Sequence, residues 1–211
     1  MTTTGLKMNR VLDYLDNLIP NPKPELLYNK DYEFLIAVML SAQTTDKGVN
    51  NVTKILFDKY KTLDSLSKAK IEDLEDIIRP IGTFTKKARN VVNIASKLAL
   101  IGYVPNDREF LESLDGVGRK TTNVVLSTLY NEPYLAVDTH VSRVAKRLGF
   151  AKENDDVLTI ERKLTKLVDK DRINRTHHQM LLFGRYYCKS KNPLCSTCGL
   201  KDICRYKKRN I

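Results

Sequence analysis

The stretch Leu114-Asp115-Gly116-Val117-Gly118-Arg119-Lys120-Thr121, continuing through Thr122-Asn123-Val124-Val125-Leu126, decides how this chain is read. Asp107 stands where the N-cap of a short helix through Leu114 belongs. A second helix is expected from Arg119 to about Tyr130, with Val124, Val125 and Leu129 inward. A Gly-Val-Gly turn joins the two. Glycines at both ends let the backbone take positive φ and come close to another surface. The turn opens a helix, whose free N–H groups and positive dipole end suit a phosphate. Through Gly116, Val117, Gly118, Arg119 and Thr121 it can grip one nucleic-acid backbone without reading bases. Taken alone, G-x-G also fits an ordinary tight turn, so its weight comes from the Arg119-Lys120 pair and the charge described below.

Outward from this hairpin, helical periodicity dominates. Val11, Leu12, Leu15, Leu18 and Ile19 form a stripe ahead of Pro20, Pro22 and Pro24. Phe34 to Leu40 is apolar all round, as a central buried helix would be, and Gln43 ends it. An amide in such a position is costly unless bonded, which points to a specific job for Gln43. Val49, Val52, Ile55 and Leu56 make the next stripe; Ile71, Leu74, Ile77 and Ile78 make another, stopped by Pro80. Val91, Val92, Ala95, Leu98 and Ala99 line a longer helix closing near Gly102. Asp138 sits at an N-cap position ahead of Val141, Val144, Ala145 and Leu148, with Gly149 as the stop. Val157, Ile160, Leu164 and Leu167 mark one more helix, and a last one runs from about Asn174 into Cys188. No run of alternating strand residues interrupts this pattern. The expected fold class is all-α.

The chain has 211 residues, 42% of them hydrophobic, and can bury a real core in one large domain or two small ones. Met1 to Asn9 lacks the apolar stretch of a signal peptide, and Phe34 to Leu40 is far too short to span a bilayer. The expectation is a cytoplasmic, nucleoid-associated monomer with no membrane contact. The formal net charge is +11, and from Arg185 to Ile211 eight Lys or Arg face one acid, Asp202. A basic segment of this density attracts polyanions, of which nucleic acid is the commonest inside a cell. A solubilising tail or weak attraction to anionic lipid is the plainer reading of charge alone.

All four cysteines fall in the last quarter, Cys188, Cys195, Cys198 and Cys204, spaced C-x6-C-x2-C-x5-C. In a reducing compartment such a set points to metal ligation rather than disulfides. Zinc modules usually bring two short C-x2-C knuckles, and the bacterial ferredoxin run is tighter. An iron–sulfur cluster held by four cysteines is favoured over zinc. The neighbouring pair His177-His178 reads as packing, since four thiolates already complete a site.

Leu114 to Leu126, Val137 to Val144 (VDTHVSRV), Leu40 to Asp46 (LSAQTTD) and the cysteine spacing together resemble the endonuclease III family of helix–hairpin–helix DNA glycosylases and AP lyases. The resemblance covers essentially the whole chain from about residue 7. It implies removal of oxidised pyrimidines from duplex DNA, followed by cleavage at the abasic site. Lys120 matches the family nucleophile and Asp138 its catalytic carboxylate. Cys188, Cys195, Cys198 and Cys204 match the ligands of one 4Fe–4S cluster. Gln43 matches a residue that enters the duplex near the flipped base. The implied architecture is a six-helix barrel over residues 23 to 132, carrying the hairpin at about 107 to 130. A discontinuous second lobe, 1 to 22 with 133 to 211, carries the cluster loop 188 to 204, and a cleft lies between the lobes.

The chemistry can be argued from the residues as well. A base in a duplex must be flipped out before its glycosidic bond is attacked. The attacking amine must be unprotonated, and the first turn of a helix beside Arg119 disfavours a positive charge at Lys120. A carboxylate would stabilise that charge, so Asp138 is read instead as support for the cation growing on the sugar, and as a proton acceptor once the bond forms. Read locally, Lys120 also fits a solvated phosphate contact and Asp138 a plain N-cap. His140 fits either a DNA phosphate contact or a surface histidine.

Two positions depart from the family pattern. Asp115 stands where proline is usual, and its charge is expected to weaken DNA binding. Thr83, in Ile81-Gly82-Thr83-Phe84, replaces a bulkier apolar wedge, which bears on flipping and lesion preference. The rivals are an adenine mismatch glycosylase, a branch that generally lacks a lysine at this point, a non-catalytic hairpin DNA-binding module, and a redox sensor built on the cluster.

Overall fold

In the computed structural model, residues 3–206 are described, and every regular element among them is helical. The chain forms two compact units, an internal one, Pro24–Tyr130, and a terminal one, Met1–Lys23 with Asn131–Ile211.

The internal unit is built around α2 (Asp31–Leu40), in which every side chain from Tyr32 to Leu40 is buried. Full burial of each large aliphatic or aromatic side chain there contributes roughly 1.5–3 kcal/mol relative to exposure. Buried Glu33 serves its own helix start by accepting a hydrogen bond from the Asn29 N–H at 2.8 Å. Around α2 stand α3 (Asp46–Lys59), α4 (Leu63–Ser67), α5 (Ile71–Ile78), α6 (Phe84–Ile101), α7 (Arg108–Glu112) and α8 (Arg119–Tyr130). Helix α6 packs on α2, α4 and α5, and α8 packs on α2 and α7. Leu98, at the end of α6, accepts from the N–H of Gly102, whose φ of 81° closes the helix as expected.

The terminal unit brings α1 (Thr3–Leu18) against α11 (Ile173–Leu182), and α9 (Thr139–Arg147) against α10 (Val157–Thr165) and α11. Met8, Val11, Leu15, Val141, Val144, Ile160, Leu164 and Met180 form its core. Asp16 of α1 binds three side chains of the 3-10 turn Lys170–Arg172 and of α11: Arg172 at 2.7 Å, Arg175 at 2.9 Å and Gln179 at 2.9 Å.

Several local expectations change. The last helix does not run unbroken to Cys188; it becomes a π turn over Phe183–Tyr187, with the Cys188 N–H donating to the Phe183 carbonyl at 2.7 Å. Helix α4 is an addition, held by a capping box between Thr62 and Ser65. Ile55 and Val157 face solvent, and in α8 it is Val125 and Leu126 that lie inside while Val124 and Leu129 are only partly covered.

Candidate nucleic-acid interface and metal centre

The hairpin is α7, a tight turn, and α8. Asp107 caps α7 by accepting from the Phe110 N–H at 3.1 Å. The Val117 N–H donates to the Leu114 carbonyl at 3.1 Å, and Gly116 between them has φ +77°. Positive φ at the third turn residue alone is the geometry of a type II turn, which calls for glycine there and welcomes proline just before it. Asp115 occupies that proline position, and its carboxylate accepts from Asn93 of α6 at 2.6 Å. Lys97 of α6 donates to the Ser113 carbonyl at 2.9 Å, and Arg108 ties α7 to Asn123 of α8 at 2.8 Å. A Cβ on Gly116 would stand 2.3 Å from the Asn90 amide nitrogen of α6. The turn is therefore pinned to α6 at Ser113 and Asp115 and packed against it at Gly116.

Gly118 differs from Gly116. It needs no positive φ, and nothing lies within 4 Å of where its Cβ would be. Its carbonyl accepts from the Thr122 N–H at 3.0 Å, so it opens α8, and the missing side chain leaves the approach to that helix's first N–H groups clear. Val117 is buried, whereas Gly118, Arg119 and Lys120 are exposed and Thr121 is half-buried. Lys120 thus presents its amine from the first turn of α8.

Gln43 is exposed rather than buried. Helix α2 ends at Leu40, Ser41 caps it, and Gln43 lies beyond in a turn with φ +57°. Its amide is open to solvent and bears no burial cost. Thr83 has the same φ, 57°, at the start of α6, and its hydroxyl donates back to the Gly82 carbonyl.

In the terminal unit, Asp138 caps α9: its Oδ1 accepts from the Val141 N–H at 2.7 Å. Capping occupies one carboxylate oxygen, so an N-cap role leaves the charge available for other work. His140, half-buried, has Nδ1 at 3.1 Å from the Arg143 guanidinium. Arg143 also donates to the Gly184 carbonyl at 2.6 Å and the Cys188 carbonyl at 3.0 Å. His177 is buried against His178, ring centroids 4.9 Å apart, consistent with packing.

None of the four cysteines is in a disulfide; all are partly buried and line one apolar cavity of about 220 Å³ together with Tyr14, Leu148, Phe183 and Tyr187. Among the described residues, no three His, Cys, Asp or Glu side chains are close enough together to hold a metal ion as they stand. Arg147 donates to Cys188 Sγ at 3.3 Å and to the Lys189 carbonyl at 2.8 Å, and the Tyr206 N–H lies 3.5 Å from Cys204 Sγ. Burial pushes the Cys188 thiol up, while the Arg147 guanidinium pulls the other way. For Cys198, burial again raises the thiol against the Leu200 N–H and the Tyr14 hydroxyl. Such N–H donors to sulfur are the contacts through which a protein tunes an iron–sulfur group. Lys189, Lys191 and Lys201 stand exposed on this loop; Lys207, Lys208 and Arg209 lie outside the described residues.

Residues 36–170 match the model of the HhH-GPD superfamily of base excision DNA repair proteins. Endonuclease III of Bacillus subtilis (strain 168) is 44% identical over 197 residues, 92% of this chain and 90% of that protein. The chain also matches a solved structure of a trapped endonuclease III–DNA covalent intermediate, an estranged-adenine complex, with TM-score 0.91, 45% identity and 97% of both chains covered. A non-covalent endonuclease III–DNA complex matches equally well, with TM-score 0.91, 46% identity, and 97% and 96% coverage. The chain belongs to the endonuclease III family.

Set beside that family, sequence reading overlooked the residues that support the candidate groups. Arg143 and Arg147 stand four residues apart on α9, and the sequence gives neither of them a role, because the carbonyls and sulfur they reach lie some forty residues downstream. Tyr14, far upstream, reaches the cysteine cavity, where Gly199 lets its ring approach to 2.7 Å of a would-be Cβ. Lys87 was legible in principle. It continues the stripe Val91, Ile94 and Leu98 at helical spacing, where a charged residue has no ordinary reason to be.

Proposed function

We propose that this chain excises oxidised pyrimidines from damaged duplex DNA and then cleaves the resulting abasic site, with Lys120 as nucleophile and Asp138 as the carboxylate that supports it. The observation that carries the reading is an exposed lysine in the first turn of the hairpin's second helix, in a chain 45% identical over 97% of its length to an endonuclease III trapped covalently on DNA.

The hairpin holds a DNA backbone through the N–H groups that open α8, with Gly116, Val117, Gly118, Arg119 and Thr121 forming the grip and His140 adding a phosphate contact. Gln43 enters the duplex beside the extruded nucleotide. The Lys120 amine attacks C1′ as the base departs with the electron pair of its glycosidic bond, and Asp138 offsets the positive charge that develops on the sugar. Loss of the amine's proton and opening of the ring leave an imine between Nζ and C1′. Removal of a C2′ proton then expels the 3′ phosphate by β-elimination. Hydrolysis of the imine returns free Lys120.

Cys188, Cys195, Cys198 and Cys204 are suited to hold a 4Fe–4S cluster. Bound there, it would cross-link the loop that carries Lys189, Lys191 and Lys201 and fix those cations for the DNA backbone. None of the steps above calls for an electron. We assign the internal unit to the six-helix barrel of the family and the terminal unit to its cluster lobe, and we place the enzyme's work on intracellular DNA.

Incision of an oxidised-pyrimidine duplex, with borohydride trapping of the protein on DNA, tests the assignment. The wild type should nick and form a covalent adduct, and Lys120→Gln should do neither. Trapping by Lys120→Gln at the wild-type level would overturn the role given to that amine. Iron analysis of the purified protein tests the cluster; zinc in its place would overturn it.

A further inference from the structure

The turn that carries Gln43 is held from beneath by a single buried cation. Lys87 of α6 is 4% exposed, and its ammonium donates to the Ala42 carbonyl at 2.9 Å and to Thr44 Oγ1 at 3.1 Å. Those acceptors flank Gln43 on both sides. Among the described residues no carboxylate pairs with Lys87. An ammonium buried without a counter-ion is expensive, and burial lowers its affinity for the proton. A methionine or leucine would fill the same stripe of α6 at no such cost. Among the described residues, the groups this charge bonds are those of residues 42–44.

That conformation needs support. Gln43 has φ +57°, a region that side chains other than glycine, asparagine and aspartate rarely visit. The rest of the turn supplies modest restraint: the Thr44 N–H donates to the Ser41 carbonyl at 3.0 Å, and Thr45 caps α3. Lys87 also donates its backbone N–H to the Thr83 carbonyl at 3.1 Å, so the residue that braces the Gln43 turn belongs to the first turn of the helix opened by Thr83.

We propose that Lys87 is a positioning residue for damage recognition, holding Gln43 in its left-handed turn so that the amide is presented to the duplex already in its working geometry. This rests on the reading that Gln43 enters the DNA. Lys87 itself touches no DNA; it acts by removing the ordering cost that a loose turn would incur on binding.

The test uses the full-length, iron-loaded protein and a duplex containing a stable abasic-site analogue, with a fluorescent adenine analogue placed opposite it. Lys87→Met keeps the unbranched stem and removes the charge. Gln43→Ala and the double variant complete a cycle, and Thr44→Val removes one acceptor, along with the hydroxyl's own 3.4 Å bond to the Ala42 carbonyl, without changing shape. Lys87→Met and Gln43→Ala should each bind about tenfold more weakly and blunt the fluorescence rise that reports an unstacked opposite base. Thr44→Val should follow in the same direction by about two- to threefold. The double variant should be no worse than Gln43→Ala alone, because both changes remove one function. If Lys87→Met proves poorly folded, Thr44→Val against Gln43→Ala supplies the same cycle. Additive losses, or a Lys87→Met protein that binds and unstacks as the wild type does while Gln43→Ala fails, would overturn the proposal. A Gln43→Ala protein indistinguishable from wild type would instead remove the reading beneath it, and the proposal with it.

Discussion

Gly184 lies directly against His140: a Cβ on the glycine would stand 2.9 Å from the histidine's Cβ and 3.0 Å from its carbonyl oxygen. The contact locks the π turn onto α9 and puts the Gly184 and Cys188 carbonyls within reach of Arg143. π turns are frequent at functional sites, and this one ends at Cys188, which lines the cysteine cavity. Gly184→Ala should cost about 1–3 kcal/mol by overpacking and should loosen the hold on Cys188. Denaturant unfolding, together with retention of the cluster proposed for the four cysteines, checks this; a variant as stable as the wild type that retains the cluster equally would refute it.

Asp16 should give the terminal unit an acid-sensitive clasp. Burial works against its carboxylate, but hydrogen bonds from Gln179, Arg172 and Arg175 hold its pKa down to about 2 from 3.8. Because the folded-state value is the lower one, the stabilisation is complete above the unfolded value and fades as pH falls from 3.8 toward 2. With part of the carboxylate in solvent, the contribution is discounted to about 1–2 kcal/mol. Asp16→Asn should be destabilised by that amount near neutrality, and the gap should narrow only below about pH 4. Urea titrations at successive pH values measure it. A gap that stays constant down to about pH 3 would remove Asp16 from the account of acid sensitivity.

What was legible in the sequence, and what was not, divides along the range of the interactions. Helix α2 announces itself as an unbroken apolar run because it is buried on every side, and the caps at Asp107 and Asp138 are visible because a cap is a bond within three residues. The hairpin is equally local. The π turn is invisible from sequence, since it exists only because Gly184 meets a helix more than forty residues earlier. Helix α4 has five residues, too few for a period to register, although its Thr62 and Ser65 signature was there to read. The buried-amide reading of Gln43 fails because the helix stops three residues earlier and the residue is exposed; its distinction is its backbone angle, which no pattern of side chains encodes. Lys87 broke an apolar stripe in plain view, yet the cost of burying it becomes an argument only when its two acceptors are known.

The two glycines of the hairpin turn should separate stability from DNA binding. At Gly116 a side chain meets two penalties: φ is +77°, and the Asn90 amide stands 2.3 Å from the Cβ position, with Met39 Cγ at 3.3 Å. Gly116→Ala should therefore destabilise the internal unit by about 1–3 kcal/mol, the left-handed penalty plus whatever movement Asn90 requires. At Gly118 neither penalty applies, since its φ is ordinary and nothing lies within 4 Å of a Cβ. Gly118→Ala should leave stability within about 0.5 kcal/mol of the wild type. Its methyl would instead stand where a phosphate approaches the first N–H groups of α8, so affinity for duplex DNA should fall several-fold at fixed salt. The salt dependence should change little, because no cation is lost. Fluorescence anisotropy at two ionic strengths, alongside thermal unfolding, reads both effects. Equal binding by Gly118→Ala and the wild type would mean that the open face of this turn is not where the backbone is held.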